Sequence, residues 1–247
     1  MNISRALVSV GLLMGFAQAV SAQTADDIIE KSLAAMGGRA ALEKITSRTM
    51  AGTVTVSTPA GDISGPIEVI AQAPNKSRTL VTLDLSSFGA GRMVVDQRFN
   101  GTSGYVLDTL QGNRDISGGQ LEAMRNNSFP SPYLNYKETG TMVELSGKEK
   151  LGDREAFLLV MKPKSGPVAR QYIDAESYLL VRFVIKVDVP QVGGELEQTT
   201  ELLDYRDVDG VKVPFHIKNS SAVQTTDLVI TKVEHNTTLD QAQFSKP

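Results

Sequence analysis

The amino-acid sequence predicts a mainly β (α+β) domain, an antiparallel meander with a few helices packed against one side. Two patterns carry this reading. Stretch after stretch alternates apolar and polar residues, as in "GTVTVST" and "TDLVITKVEHN". Between these stretches stand short turn signals: "PAGD", "PNKS", "NGTSG", "LGDR", "KSGP", "DAES", "VGGE" and "DVDG". Strands joined by such short connections pair antiparallel, because a parallel crossover needs a dozen residues or more.

The elements follow in chain order. Residues 1–22 carry one charge, Arg5, an apolar run and a closing Val20-Ser21-Ala22. This reads as a secretory signal cleaved after Ala22, the run being shorter than the ~20 residues of a membrane span. With no cysteine in the chain, neither a lipid-modified cysteine nor a disulfide is available. The expectation is a periplasmic chain that does not span the membrane, with residues 23–247 as a single domain. In "TADDIIEKSLAAMGG", Thr24 is the N-cap and Asp27 completes a capping box. Ile29, Leu33 and Met36 form the apolar stripe, and Gly37-Gly38 ends the helix. "RAALEKI" adds a short turn with Leu42 and Ile45. Then come strands at "GTVTVST", "GPIEVIAQAP", "RTLVTLDL" and "RMVVDQRFN". A second helix, "SGGQLEAMRNN", has Ser117 as N-cap and Leu121 and Met124 as its stripe, and "FPSPYLNY" breaks regular structure. Six strands complete the chain: "AFLLVMKP", "VARQYID", "YLLVRFVIKVDV", "LEQTTELLDYRDV", "VKVPFHIK" and "TDLVITKVEHN".

The stretch "DYRDVDGVKVPFHI" looks reactive, yet register sorts it as scaffold. With Asp209-Gly210 as a two-residue hairpin loop, Val208 opposes Val211 and Asp207 opposes Lys212. The pairing runs on through Arg206–Val213, Tyr205–Pro214, Asp204–Phe215, Leu203–His216 and Leu202–Ile217 to Glu201–Lys218. One face is then apolar, and His216 falls on the other, most simply as a solvated side chain. Asp204 and Arg206 are the exceptions on the apolar face. They pair with each other, touch a ligand, or lie at a solvated hairpin end.

No catalytic constellation emerges. Without cysteine there are no thiol nucleophiles or thiolate metal sites. The two histidines, His216 and His235, lie in separate strands with no metal-ligand spacing. The glycine-containing "GGRAAL" and "GAGR" lack phosphate-loop and dinucleotide spacing, and no GxSxG elbow occurs. A net charge of −3 gives no support for nucleic acid as partner. The chain has no tryptophan, which counts against sugars stacked on aromatic rings. Aliphatic-rich strands with helices on one side suit an apolar cavity for an acyl chain or a similar ligand, a filled core being the alternative.

"ADDIIEKSLAAMGGRAALEKI" leading into "GTVTV", then "RQYIDAESYLLVRF" and "LLDYRDVDGVKVPFHI", resembles the outer-membrane lipoprotein-sorting family of the LolA/LolB carriers across nearly the whole of residues 23–247. The resemblance implies a highly curved antiparallel half-barrel with helices over an apolar cavity. It also implies non-catalytic binding or transfer of a lipid or acylated protein, possible participation in lipoprotein sorting, and no cofactor or metal. Two features depart from it. The cationic residue that such carriers hold at the cavity mouth is not placed in this sequence, and the acceptor-type lipoprotein would need a cysteine. An envelope protein-interaction or sensor module with a protein partner is the alternative function, and a hydrolase the least favoured. The cavity wall is expected from Met161, Val181, Phe183, Ile185, Leu202, Val213 and Phe215, with Asp204 and Arg206 as polar contacts. Val181, Phe183 and Ile185 are placed together by strict alternation along "YLLVRFVIKVDV".

Overall fold

A computed structural model describes residues 23–59, 61–189, 194–222 and 224–247, with the side chains of residues 187–189 outside the description. The proposed signal, residues 1–22, lies outside the described residues. Among the described residues, thirteen strands form one antiparallel sheet, curved and not closed. They are β1 Ser47–Thr58, β2 Gly61–Gln72, β3 Lys76–Asp84, β4 Arg92–Phe99, β5 Gly104–Asp108, β6 Arg114–Ile116, β7 Met142–Leu151, β8 Arg154–Lys162, β9 Ala169–Asp174, β10 Leu180–Val189, β11 Gly194–Val208, β12 Val211–Ser220 and β13 Thr225–His235. The spatial order is β6-β5-β4-β3-β2-β1-β13-β12-β11-β10-β9-β8-β7. Two meanders are thus joined back to back where the first strand pairs with the last. All eight turn signals fall between consecutive strands, although Ala60 of "PAGD" and Val192-Gly193 of "VGGE" lie outside the described residues. Strands β5, β6 and β7 are additions to the sequence reading. The first two are short, and β7 is rich in charge and carries a register shift between Leu145 and Lys148, so none shows a clean period of two.

Helix α1 Ala25–Ala35 is capped as its sequence dictates. Asp27 N donates to Thr24 Oγ1 (3.2 Å), and Thr24 N donates to Asp27 Oδ2 (2.9 Å). Its stripe of Ile28, Ile29 and Leu33 is buried on one face of the sheet, here called the inner face. There it packs with Phe157, Leu159, Met161, Ile173, Val211, Val213, Phe215 and Ile230, and with Tyr133 and Tyr136 from the segment that links the sheet's two edges. The short α2 Arg39–Leu42 adds Leu42. Met36 O accepts from Lys212 N (2.9 Å), which docks the helix end on the β11–β12 turn.

Helix α3 Gly118–Asn126 crosses between the two meanders. Arg125 Nη2 donates to Thr102 O (2.8 Å) in the β4–β5 turn, and Asn126 Nδ2 donates to Ser165 O (2.7 Å) in the β8–β9 turn. None of its residues is fully buried, and Ser117 occupies the N-cap without a side-chain bond. The bend of the sheet has a local cause. On inner-face Gly52 and Gly65, an added Cβ would overlap the carbonyl oxygens of Val229 and Thr82, so only glycine permits that close coiling of neighbouring strands.

Candidate functional site

The β11–β12 hairpin forms with every predicted pair except Asp204–Phe215. Asp204 has φ 49°, a left-handed conformation that aspartate tolerates better than most residues. The twist there breaks strict alternation. Leu202, Tyr205 and Val208 are the sheltered residues, while Asp204 and Arg206 are exposed. The two charges pair at 2.5 Å, and the Arg206 guanidinium lies 4.4 Å from the Phe215 ring centre. The expected Asp207–Lys212 pair stands at 3.7 Å, whereas Glu201 is held at 2.5 Å by Arg182 and not by Lys218. His216 is not simply solvated: its Nε2 lies 2.5 Å from Asp227 Oδ1 on the adjoining strand.

Of the predicted wall residues, Met161, Val213 and Phe215 are core under α1, at 5, 0 and 8% exposure. Phe183, Ile185 and Leu202 share the inner face, are half-buried and belong to none of the packed clusters among the described residues. Val181 is displaced from that row. A register shift between Leu180 and Arg182 turns it to the outer face, where it packs against Ala156, Leu158, Tyr172 and Val184. A bulge defeats a strict period of two in this way.

The inner face therefore has two halves. Beneath α1 it is a filled core that contains a polar knot absent from the sequence reading. Arg48 Nε donates to His235 Nε2 (2.9 Å), so the imidazole carries its proton on Nδ1, which faces Asp209 Oδ2 at 3.0 Å. The Arg48 guanidinium lies 5.3 Å from the Phe129 ring centre, and burial lowers its pKa to about 10. Burial, and then the Arg48 charge, push His235 below the ordinary histidine range. The Tyr133 hydroxyl donates to Gln171 Oε1, and the Tyr205 hydroxyl donates to Leu180 O (2.7 Å). Burial pushes both phenols upward, so they stay neutral donors. Only the fold brings these residues together; the signal in the sequence was a lone arginine in an otherwise aliphatic row.

Val54, Ile67, Leu83, Leu85 and Leu228 form a second packed cluster on the inner face; beyond both clusters, at the far end of β10–β13, the face opens. Register aligns Ile185 with Gln198, and Phe183 with Thr200, Asn219 and Thr226 in a row across four strands. Beside this row is a groove of about 340 Å³ lined by Gln198, Asn219, Ser220, Ser221, Gln224 and Thr226. Half-buried apolar side chains next to an open groove can shelter an apolar chain while leaving its polar end at the rim. Among the described residues, no cluster of three or more His, Asp or Glu suited to a metal ion occurs, and no helix is long and apolar enough to cross a membrane.

Comparison of the sequence with protein-family models gives no match, and neither does comparison with curated proteins. Solved structures do match. A Vibrio parahaemolyticus domain assigned by name to outer-membrane lipoprotein sorting is 13% identical, with 89% of this chain and 95% of that chain covered at a TM-score of 0.57. A LolA superfamily protein from Nitrosomonas europaea is also 13% identical, over 91% and 99% of the two chains at 0.57. A DUF1329 family protein from Desulfovibrio piger is 11% identical, over 88% and 95% at 0.56. At such identities the likeness shows the fold, a LolA-like half-barrel.

Proposed function

We propose that this protein is a non-catalytic, exported binding or carrier protein for a lipid, a lipoprotein acyl chain or another hydrophobic ligand, and that the open half of the inner face receives it. One observation carries the reading. Phe183, Ile185 and Leu202 lie on the sheltered face yet belong to none of the packed clusters among the described residues, and a groove opens beside them. Apolar side chains left half-covered gain free energy from any apolar chain laid on them, at about 25 cal/mol per Å² removed from water. The LolA-like fold supports the same reading by analogy. A non-catalytic role agrees with the engagement of both histidines. His235 is held between Arg48 and Asp209, His216 faces Asp227, and the two side chains point to opposite faces of the sheet. Residues 1–22 support export, and the absence of cysteine favours a carrier without a lipid anchor of its own.

The test is saturable binding of a fluorescent fatty-acid probe to delipidated protein, together with native mass spectrometry of protein purified without detergent. The expected results are one probe site and co-purified lipid. Well-folded protein that shows neither contradicts the proposal. A single stoichiometric protein partner captured from envelope extract, with no lipid, favours an interaction module in its place.

A further inference from the structure

The groove beside the open half of the inner face is polar, and among the described residues none of its lining side chains is charged. Gln198, Asn219, Ser220, Ser221, Gln224 and Thr226 line it, and Thr200 stands in the same inner-face row as Asn219 and Thr226. A solvated sheet end ordinarily carries charged side chains, and among the described residues near the groove these strands carry theirs on the other face. Alternation sends Lys186 of β10, Glu195, Glu197 and Glu201 of β11, Lys218 of β12 and Asp227 of β13 outward. There Arg170 pairs with Glu197 at 3.2 Å and Arg182 with Glu201 at 2.5 Å. Charge is thus sorted away from the groove by register, while hydrogen-bonding capacity is kept in it. Thr200 Oγ1 donates to Asn219 Oδ1 (2.7 Å), which fixes that amide with its Nδ2 unused. The side-chain amides of Gln198 and Gln224 make no hydrogen bond among the described residues.

We infer that the groove receives the uncharged, hydroxyl-rich headgroup of an amphiphile, a glycosyl group, whose alkyl chain lies over Phe183 and Ile185. This rests on the hydrophobic-ligand reading and specifies the ligand's polar end. An anionic or cationic headgroup would enter a site with no opposite charge to compensate its loss of hydration, a cost that a neutral polyol avoids. Amides and hydroxyls both donate and accept, as sugar hydroxyls do. The lack of tryptophan is no obstacle, because burial of the alkyl chain supplies the apolar contact and the Phe183 ring lies directly opposite Thr200 in register.

The experiment is calorimetric titration of delipidated protein with three ligands of equal chain length, each below its micelle concentration: decyl maltoside, decanoate and decylphosphocholine. Decyl maltoside is expected to bind at least tenfold more tightly than the anionic decanoate or the zwitterionic decylphosphocholine. Combining Gln198→Leu with Asn219→Leu is expected to remove that preference. Equal affinities, or preference for a charged headgroup, overturn the inference even if the variant fails to fold. A maltoside preference that survives in the folded variant overturns the assignment to this groove. If none of the three binds, the hydrophobic-ligand proposal fails with it; if decanoate binds and maltoside is not preferred, only this inference fails.

Discussion

Asp96 is 4% exposed and accepts from Arg78 Nε and Nη2 (both 2.9 Å) and from Arg98 Nη2 (2.7 Å). Burial alone would raise its pKa, but the two guanidinium groups outweigh that and hold the carboxyl below its usual range. Arg98 also donates through Nη1 to Ser245 O (3.0 Å), so the carboxylate anchors the C-terminal segment to the outer face. Asp96→Ala leaves two sheltered guanidinium groups unpaired and is expected to cost about 3–5 kcal/mol in urea unfolding. His235 makes a second prediction. Its side chain is 1% exposed, and its folded pKa lies below the 6.5 of the free group. The unfolded chain therefore binds the proton more readily. The contribution is fully present above pH ~6.5 and is lost as pH falls from there toward the lower folded value. The Tm of the wild type should decline across this window, and His235→Gln should show a shallower decline; parallel slopes would assign the loss to other groups. Neither site was legible in the sequence. Asp96 and Arg98 read as an ordinary alternating strand, and Arg48 meets His235 only because the first strand pairs with the last.

The elements were more legible, because local rules govern them. Thr24 and Asp27 specify the start of α1, and the Asp209-Gly210 turn sets the β11–β12 register pair by pair. Thr24→Ala should cost about 1 kcal/mol, the ordinary value of an N-cap. Gly37 is more demanding. It has φ 117°, and a Cβ there would overlap the Gly210 carbonyl oxygen, so Gly37→Ala strains the backbone and also undocks α1 from the hairpin. The expected loss is about 1–3 kcal/mol, read as a lowered urea midpoint; a change no larger than that of Thr24→Ala would contradict the docking role. Alternation failed where the backbone leaves the regular pleat. The shift at Leu180–Arg182 moved Val181 to the outer face, and the left-handed Asp204 exposed itself and Arg206. Neither residue type announces such a departure, since an aliphatic fits either face and aspartate is common in turns.

At the scale of the molecule, the meander was legible and the pairing that joins its halves was not. Antiparallel neighbours follow from short turns. The β1–β13 pairing joins the strands most distant in sequence, and no local signal specifies it. The inner face is filled beneath α1 and around Leu85, and open at the far end of β10–β13. The same apolar alternation became core at Val213 and Phe215 and stayed half-covered at Phe183 and Ile185, so composition could not separate a filled interior from an open one. Phe183→Ala separates them. A Phe→Ala change in a packed core costs about 3–5 kcal/mol, whereas a wall residue of an open site loses few close contacts. The most direct measurement is fatty-acid probe titration of wild-type and Phe183→Ala protein, with urea unfolding on the same samples. Saturable wild-type binding, roughly tenfold weaker in the variant, with a stability loss well below that of Phe215→Ala, is the predicted result. Unchanged affinity together with a core-sized loss of stability would contradict it.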